Sequence, residues 1–417
     1  MEGQLDNQGH APVAVLGGGL TGAAAALELA LRGKKVVLVE QDELPMNRAS
    51  LRNEGKIHLG FIYANDPTFH TARLQLHGAL HFRALLARWI GTEAASLRLS
   101  TPFLYMVAAD SLLSPDDLTR HYAAVEHEYG NCLSQACELD YLGDRPKRLF
   151  EPCRLDDLDS VLNIDRFTGA FRTEERAIDT EELAEAIRRA LHDVPGIRFL
   201  PRRKVESVTR LPGRFRVEGS GPDGRWQLDA EQVVNATWEN RLAIDRTVGL
   251  ESRPGWVHRL KYRVIARVPE SLRGAPSVTM VLGPYGDVVI RPDGTAYLSW
   301  YPRGLRGWTH ELAPPAAWTA PCRGELSDEE RRSVASDLLT AIDEWYPGIA
   351  HSHPLVVDAG AIVAYGNTDV DDSGSGLHYR TDIGVTSCEG YHSVDPGKLT
   401  TAPWFAKIAA DRVMQHG

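Results

Sequence analysis

The chain has 417 residues, more than a single hydrophobic core usually serves, so two domains are expected. A composition of 43% hydrophobic and 24% charged residues excludes a disordered chain, and a formal charge of −10 with no basic stripe argues against a nucleic-acid partner. No apolar run reaches the ~20 residues that span a bilayer, so no transmembrane segment is expected.

In chain order, Val13 to Leu16 is a short apolar run behind Pro12 and reads as a buried parallel strand. Gly17-Gly18-Gly19-Leu20-Thr21-Gly22 follows at once and fits GxGxxG. Gly17 serves the tight turn, Gly19 the close approach of a pyrophosphate, and Gly22 helix–strand packing. Ala23 to Leu31 is a strong helix former. The apolar stretch from Leu20 is short, is interrupted by Glu28 and follows an acidic start without a basic flank, so it is not read as a signal peptide. Gly33 ends the helix, and Lys35 to Val39 is a second strand. Glu40 stands 18 positions after Gly22, near the ~20 expected of a carboxylate that binds ribose hydroxyls. Strand, glycine loop, helix, strand and acid in register specify a dinucleotide-binding unit whose helix N-terminus faces a pyrophosphate. The unit alone does not choose between FAD and NAD.

Arg48 to Tyr63, which includes Ser50, is rich in small and polar groups and suited to threading past a flavin. On the helix expected from Thr68 to Trp89, His77 and His81 lie one turn apart. A third ligand at zinc-site spacing is missing, so no metal is expected. Pro102 to Ala108 reads as a strand, and Ser114, Pro115 and Asp117 as N-cap, N1 and N3 of the next helix. Asp179 caps a further helix with Glu182 at N3 and Leu183, Ile187 and Leu191 on its apolar face. A Lys204-to-Thr209 strand and the alternating Phe215 and Val217 precede Val233-Val234-Asn235-Ala236, a buried strand ending in a polar turn. Strands follow at Arg259 to Val268 and at Asp287 to Trp300, the latter folded into a hairpin at Pro292-Asp293-Gly294. Ala313-Pro314-Pro315 and the acidic Asp369-to-Gly376 stretch read as solvated surface loops. Near the end, Asp395 to Pro403 leads into a helical run to Val413, with Pro403 in its first turn. Cys132, Cys137, Cys153, Cys322 and Cys388 are scattered and contain no CxxC. They suit reduced thiols and a cytoplasmic protein.

Three of these segments resemble the D-amino-acid oxidase-like FAD superfamily. Ile57, His58, Gly60 and Tyr63 match an Ile-His-x-Gly-x-x-Tyr of its glycerol-3-phosphate and L-2-hydroxyglutarate dehydrogenase branch. Gly397-Lys398-Leu399-Thr400-Thr401 is similar to a Gly-Gly-Lys-Leu-Thr-Thr stretch of the glycerol-3-phosphate dehydrogenase type, with Pro396 in place of the first glycine. The order of elements from Ala177 to Ala236 resembles the return of the chain to the FAD domain, with the Val205 region at the adenine. Members typically carry a glycine soon after the Asn-Ala pair, whereas Thr237-Trp238-Glu239-Asn240 stands here.

The resemblance implies an α/β fold: a Rossmann-like FAD-binding domain with a second, antiparallel-sheet (α+β) substrate domain that roofs the flavin. The FAD-binding domain is expected to be discontinuous over 10–95, 166–250 and 355–417, and the substrate domain to occupy 96–165 and 251–354. FAD is the implied cofactor. The residues expected to meet it are Gly17, Gly19, Leu20, Thr21, Gly22, Glu40, Ser50, Val205, Asn235, Gly397, Lys398, Leu399 and Thr400. The helix beyond Thr400 would point its dipole at the ring.

A flavin dehydrogenase or oxidase needs a base for the substrate proton and cations for a carboxylate or phosphate. His58 is the base candidate; a structural or flavin-contacting role and a covalent histidyl–flavin link are the alternatives. Arg291, on the strand face of Val289, is either an anion clamp or a solvated residue. Lys56, Arg52, Arg303 and Tyr301 are further candidates, while Trp300, Trp308 and Tyr301 either shape a pocket or belong to a core. The expected activity is FAD-dependent oxidation of a CH–OH or CH–NH bond of a small polar substrate by hydride transfer to flavin N5. An anionic substrate would suit the cation candidates. Oxygen, a quinone or a carrier protein would accept the electrons. The alternatives are a flavin monooxygenase or an NAD(P)-linked enzyme on the same unit, and a flavoprotein without turnover.

Overall fold

The computed structural model describes residues 8–415. Two large sheets divide the chain. The first is centred on Gln8–Leu16, flanked in parallel by Val36–Val39 and Gly224–Asn235. Ile197–Leu200 and Tyr391–Asp395 extend it, again in parallel. Both faces of the central strand are apolar because both are covered. Val13 and Val15 pack with the helices Leu20–Leu31, Thr180–Asp193 and Ala402–Gln415. Ala14 and Leu16 pack on the other side with Val208 and Phe215 of the antiparallel pair Lys204–Leu211 and Arg214–Gly221.

The glycine loop forms as its sequence requires. Gly17 has φ +92°, and a Cβ there would stand 2.6 Å from the Ala236 carbonyl oxygen. A Cβ on Gly22 would lie 1.9 Å from the Gly17 oxygen, so the helix descends on the strand end only with glycine at that place. Elsewhere the expected caps are present. Ser114 and Asp117 close a reciprocal capping box. Asp179 accepts from the Glu181 and Glu182 amides at 2.9 and 3.3 Å, while the Glu182 carboxylate accepts instead from the Arg98 amide at 2.7 Å.

The second sheet is mainly antiparallel. In spatial order it runs Leu305–Thr309, Trp256–Arg267, Thr295–Trp300, Gly286–Ile290, Ser277–Val281, Phe103–Ala108, Phe167–Thr173, Phe150–Cys153. The hairpin at Pro292-Asp293-Gly294 joins Gly286–Ile290 to Thr295–Trp300. His353–Tyr365 pairs with Trp256–Arg267 along its whole length. Two expected boundaries are corrected by this pairing. Phe167–Thr173 and residues 355–365, assigned from sequence to the FAD-binding domain, are strands of the second sheet, where Phe103–Ala108 and Trp256–Arg267 offer them hydrogen-bonding edges. The Asp369-to-Gly376 loop is not merely solvated, because Asp369 reaches Arg259 at 3.5 Å. All five cysteines are free. Among the described residues no helix is long and apolar enough to cross a membrane.

Candidate active site

A cleft of about 2280 Å³, counting its open mouth, runs from the glycine loop to the second sheet. At its first end Gly17, Gly19, Leu20, Thr21, Glu40, Ser50 and Val205 line the wall. The N-cap Gly19 carries no side chain to close the helix, which leaves first-turn amides for an anion. Ser50 Oγ accepts from the Leu20 amide at 2.8 Å and fixes the loop from above. Glu40 accepts from the Gly18 and Asp42 amides at 2.6 and 2.9 Å, yet burial outweighs these bonds and pushes its carboxyl up to about 7. Thr237-Trp238-Glu239-Asn240 also line this wall. Trp238 takes a left-handed φ of +50°, and its Nε1 donates to the Ala361 carbonyl at 2.9 Å. A tryptophan thus adopts backbone geometry that glycine tolerates better, held there by its ring against the second sheet.

His58 lies deeper, buried at 2% exposure between two carboxylates. Its Nδ1 is 3.4 Å from Glu175 Oε1 and its Nε2 is 3.7 Å from Glu54 Oε1. Neither ring nitrogen makes a hydrogen bond among the described residues. Burial would raise both carboxyls. Contacts to His58, with the charges of Lys398 and Lys261, hold Glu54 well below the usual range; His58, Lys56 and the Tyr105 hydroxyl hold Glu175 below it. The segment is pinned from behind. The His58 amide donates to Thr400 Oγ1 at 2.9 Å, Thr400 donates on to the Lys56 carbonyl at 3.3 Å, and Tyr141 donates to the Ile57 carbonyl at 2.8 Å. The central and C-terminal motifs are therefore one structure. Pro396, Gly397, Lys398, Leu399 and Ala402, the first residue of the last helix, all face the cleft.

The second sheet supplies the roof. On Trp256–Arg267 the alternate residues Arg259, Lys261 and Arg263 share one face. Arg259 and Lys261 line the cleft, as do Asp287, Tyr297, Tyr301 and, from the loop after His353–Tyr365, Arg380. Arg263 pairs with Asp358 through Nε and Nη2 at 2.6 and 3.1 Å, and Arg52 joins the same carboxylate at 3.1 Å. This buried junction ties the loop after Ser50 to the roof. Sequence reading missed Arg259, Lys261, Arg380, Glu54, Glu175 and Asp287; the two-residue spacing of Arg259, Lys261 and Arg263 was the available signal.

Other expected residues fall elsewhere. Arg291 does not line the cleft; it is buried 3.7 Å from Asp179, the helix cap. Arg303 is exposed outside it. Lys56 does line it, but its Nζ is held by Asp287 at 2.6 Å. Gly22, Asn235 and Thr400 stand behind the wall, with Asn235 donating to Asp245 at 2.8 Å. Trp300 packs on Trp345 in a core, and Trp308 is partly exposed. His77 meets Glu128 and Cys132 of the Pro115–Gln135 helix, ligand atoms within 4.8 Å of one another, a grouping that spacing on one helix does not reveal.

Comparison with known proteins decides the class. The family described as FAD dependent oxidoreductase (DAO) matches residues 12–412. The chain belongs to this family. No curated protein matches it by sequence. Among solved structures it is similar to glycine oxidase from Geobacillus kaustophilus, with a TM-score of 0.69 and 17% identity over 98% of this chain and 96% of that one. It is also similar to iminodiacetate oxidase from Chelativorans sp. BNC1 (0.65, 16%, 97% and 96%) and to L-alpha-glycerophosphate oxidase from Mycoplasma pneumoniae with FAD bound (0.63, 16%, 97% and 95%). This DAO-family chain is thus an FAD-dependent oxidoreductase. Its cleft suits the cofactor, since an uncapped helix N-terminus, a buried acid at the second strand end and a cation-lined inner end follow one another.

Proposed function

We propose that this flavoenzyme oxidises a CH–NH or CH–OH bond of a small substrate carrying an acidic group, with His58 receiving the substrate proton. One observation carries the reading: a buried imidazole with both nitrogens free of hydrogen bonds faces a cleft whose inner end is lined by cations. When bound, FAD supplies the two-electron acceptor, taking hydride at N5. The chain supplies the rest. An imidazolium formed at His58 would stand 3.4 and 3.7 Å from Glu175 and Glu54, which offset its charge. Arg259 and Arg380 would hold the acidic group and fix which bond faces the ring. Gly17, Gly19, Leu20 and Thr21 would cradle the pyrophosphate, Glu40 the ribose and Val205 the adenine, while Gly397, Lys398 and Leu399 would meet the ring.

Purified protein should be yellow and release FAD on denaturation. Its flavin band at about 450 nm should bleach anaerobically with a member of a panel of amino acids, hydroxy acids and polyol phosphates. A colourless protein, or a flavin that no member reduces, would overturn the reading. Reoxidation by oxygen or by an added quinone then separates oxidase from dehydrogenase.

A further inference from the structure

Away from the cleft, two 21-residue helices, His70–Ile90 and Pro115–Gln135, pack against each other. Glu128 and Cys132, four positions apart, share one face of the second helix, and His77 of the first meets both. The imidazole, carboxylate and thiol donor atoms all lie within 4.8 Å of one another. Among the described residues no other three His, Cys, Asp or Glu side chains converge in this way. The distances have the scale of a coordination edge. Bonds of about 2.3 Å to sulfur and about 2.05 Å to nitrogen, at a tetrahedral angle, set those two ligand atoms about 3.6 Å apart. Cys132 Sγ and His77 Nε2 stand 3.7 Å apart. The Glu128 carboxylate closes the set with a shift of about 1 Å.

The surroundings hold these side chains in place. Trp404 of the last helix stacks on the His77 ring, with centroids 6.0 Å apart and planes 25° apart, and so sets its orientation. Arg73 Nε donates to Glu128 Oε1 at 3.0 Å, the kind of outer partner that orients a ligating carboxylate. His81, the residue that the sequence pairs with His77, is engaged otherwise, its Nδ1 donating to the His77 carbonyl at 2.8 Å. Cys132 is buried and the other two are half-buried, so a bound cation would be partly shielded from water. One thiolate and one carboxylate cancel the charge of a divalent ion, which makes such shielding tolerable.

We infer that His77, Glu128 and Cys132 bind one Zn2+ ion, with water at the fourth position. Thiolate and imidazole select zinc over Mg2+ or Ca2+, and binding releases the Cys132 thiol proton. None of the three ligands lines the cleft, so the ion is structural, a staple between two helices. Three protein ligands hold less firmly than the four of a zinc finger, so the chain folds without it and gains stability with it. The staple stands behind the cofactor end. A Cβ on Gly78, beside His77, would lie 2.7 Å from Thr401 Cγ2 and 3.1 Å from the Thr400 carbonyl oxygen. To test this, FAD-loaded protein is stripped with EDTA, freed of the chelator, and titrated with Zn2+ by calorimetry and with Co2+ by absorption. Zinc should bind once per chain with a Kd of about 1 μM or below. Cobalt should give the intense d–d bands of a tetrahedral thiolate site, at wavelengths beyond the flavin absorption, and zinc should abolish them. Saturating zinc should raise Tm by a few degrees. Cys132→Ser and His77→Gln should each weaken zinc binding at least about tenfold at wild-type FAD content, whereas Cys137→Ser, at an exposed thiol, should not. A pale octahedral cobalt spectrum, no binding at micromolar zinc, or binding unaltered in both ligand variants would refute the site. The cobalt spectrum decides on the wild-type protein, whatever the variants do to folding.

Discussion

Glu40 couples cofactor binding to pH through one buried carboxyl. Its folded value, about 7, lies above the ordinary carboxylate range because burial disfavours the charge. As pH rises from that ordinary range toward 7 the unfolded chain ionises first, so this group lowers the stability of the apoprotein across that window. Ribose hydroxyls need an anionic acceptor, so FAD affinity should run the other way. It should fall by up to about tenfold per pH unit below 7, in a flavin-fluorescence titration from pH 6 to 8. Glu40→Gln should flatten that dependence and Glu40→Lys should weaken binding at every pH; a flat wild-type profile would remove Glu40 from the ribose site. At His58 the expectation concerns rate. His58→Ala should lower kcat by about 10²–10⁴-fold with FAD still bound, and full turnover would exclude it as the base. Both residues were readable because each sits inside a local motif. Glu54 and Glu175 were not, since nothing in the spacing of Glu54, His58 and Glu175 shows that they converge on one ring.

Among the elements, strand periodicity gave the face of a residue but not its depth. Asp287, Val289 and Arg291 do share a side of Gly286–Ile290 and its continuation, as alternation requires. Each step of two residues advances about 6.5 Å, however, and Arg291 is carried past the cleft to the Asp179 cap. Arg291→Gln should therefore leave kcat/KM within about twofold of wild type while lowering Tm by a few degrees, because it loosens the start of Thr180–Asp193. A large rise in KM would restore it to the substrate site. Arg259, Lys261 and Arg263 were passed over for a different reason. Charges at every second strand position read as a wet face, and only the folding of this sheet over the cleft buries them.

For the whole molecule, the dinucleotide half was legible because its strand, loop, helix and acid lie within some 30 residues and each constrains the next. The domain limits were less so. His353–Tyr365 joins a strand about a hundred positions earlier, and an edge offered at that range leaves no mark in local composition. That same strand carries Asp358, which holds Arg52 beneath the roof and Arg263 within it. The roof cannot lift from the loop after Ser50 without stranding buried charges, a rupture costing about 3–5 kcal/mol. Such a clasp makes cofactor exchange an affair of rare openings. FAD should leave the native protein over hours in dialysis or competitor chase, and Asp358→Asn should shorten that residence time at least about tenfold even where equilibrium loading with excess FAD stays complete. An enzyme latched in this way keeps the flavin it folds with.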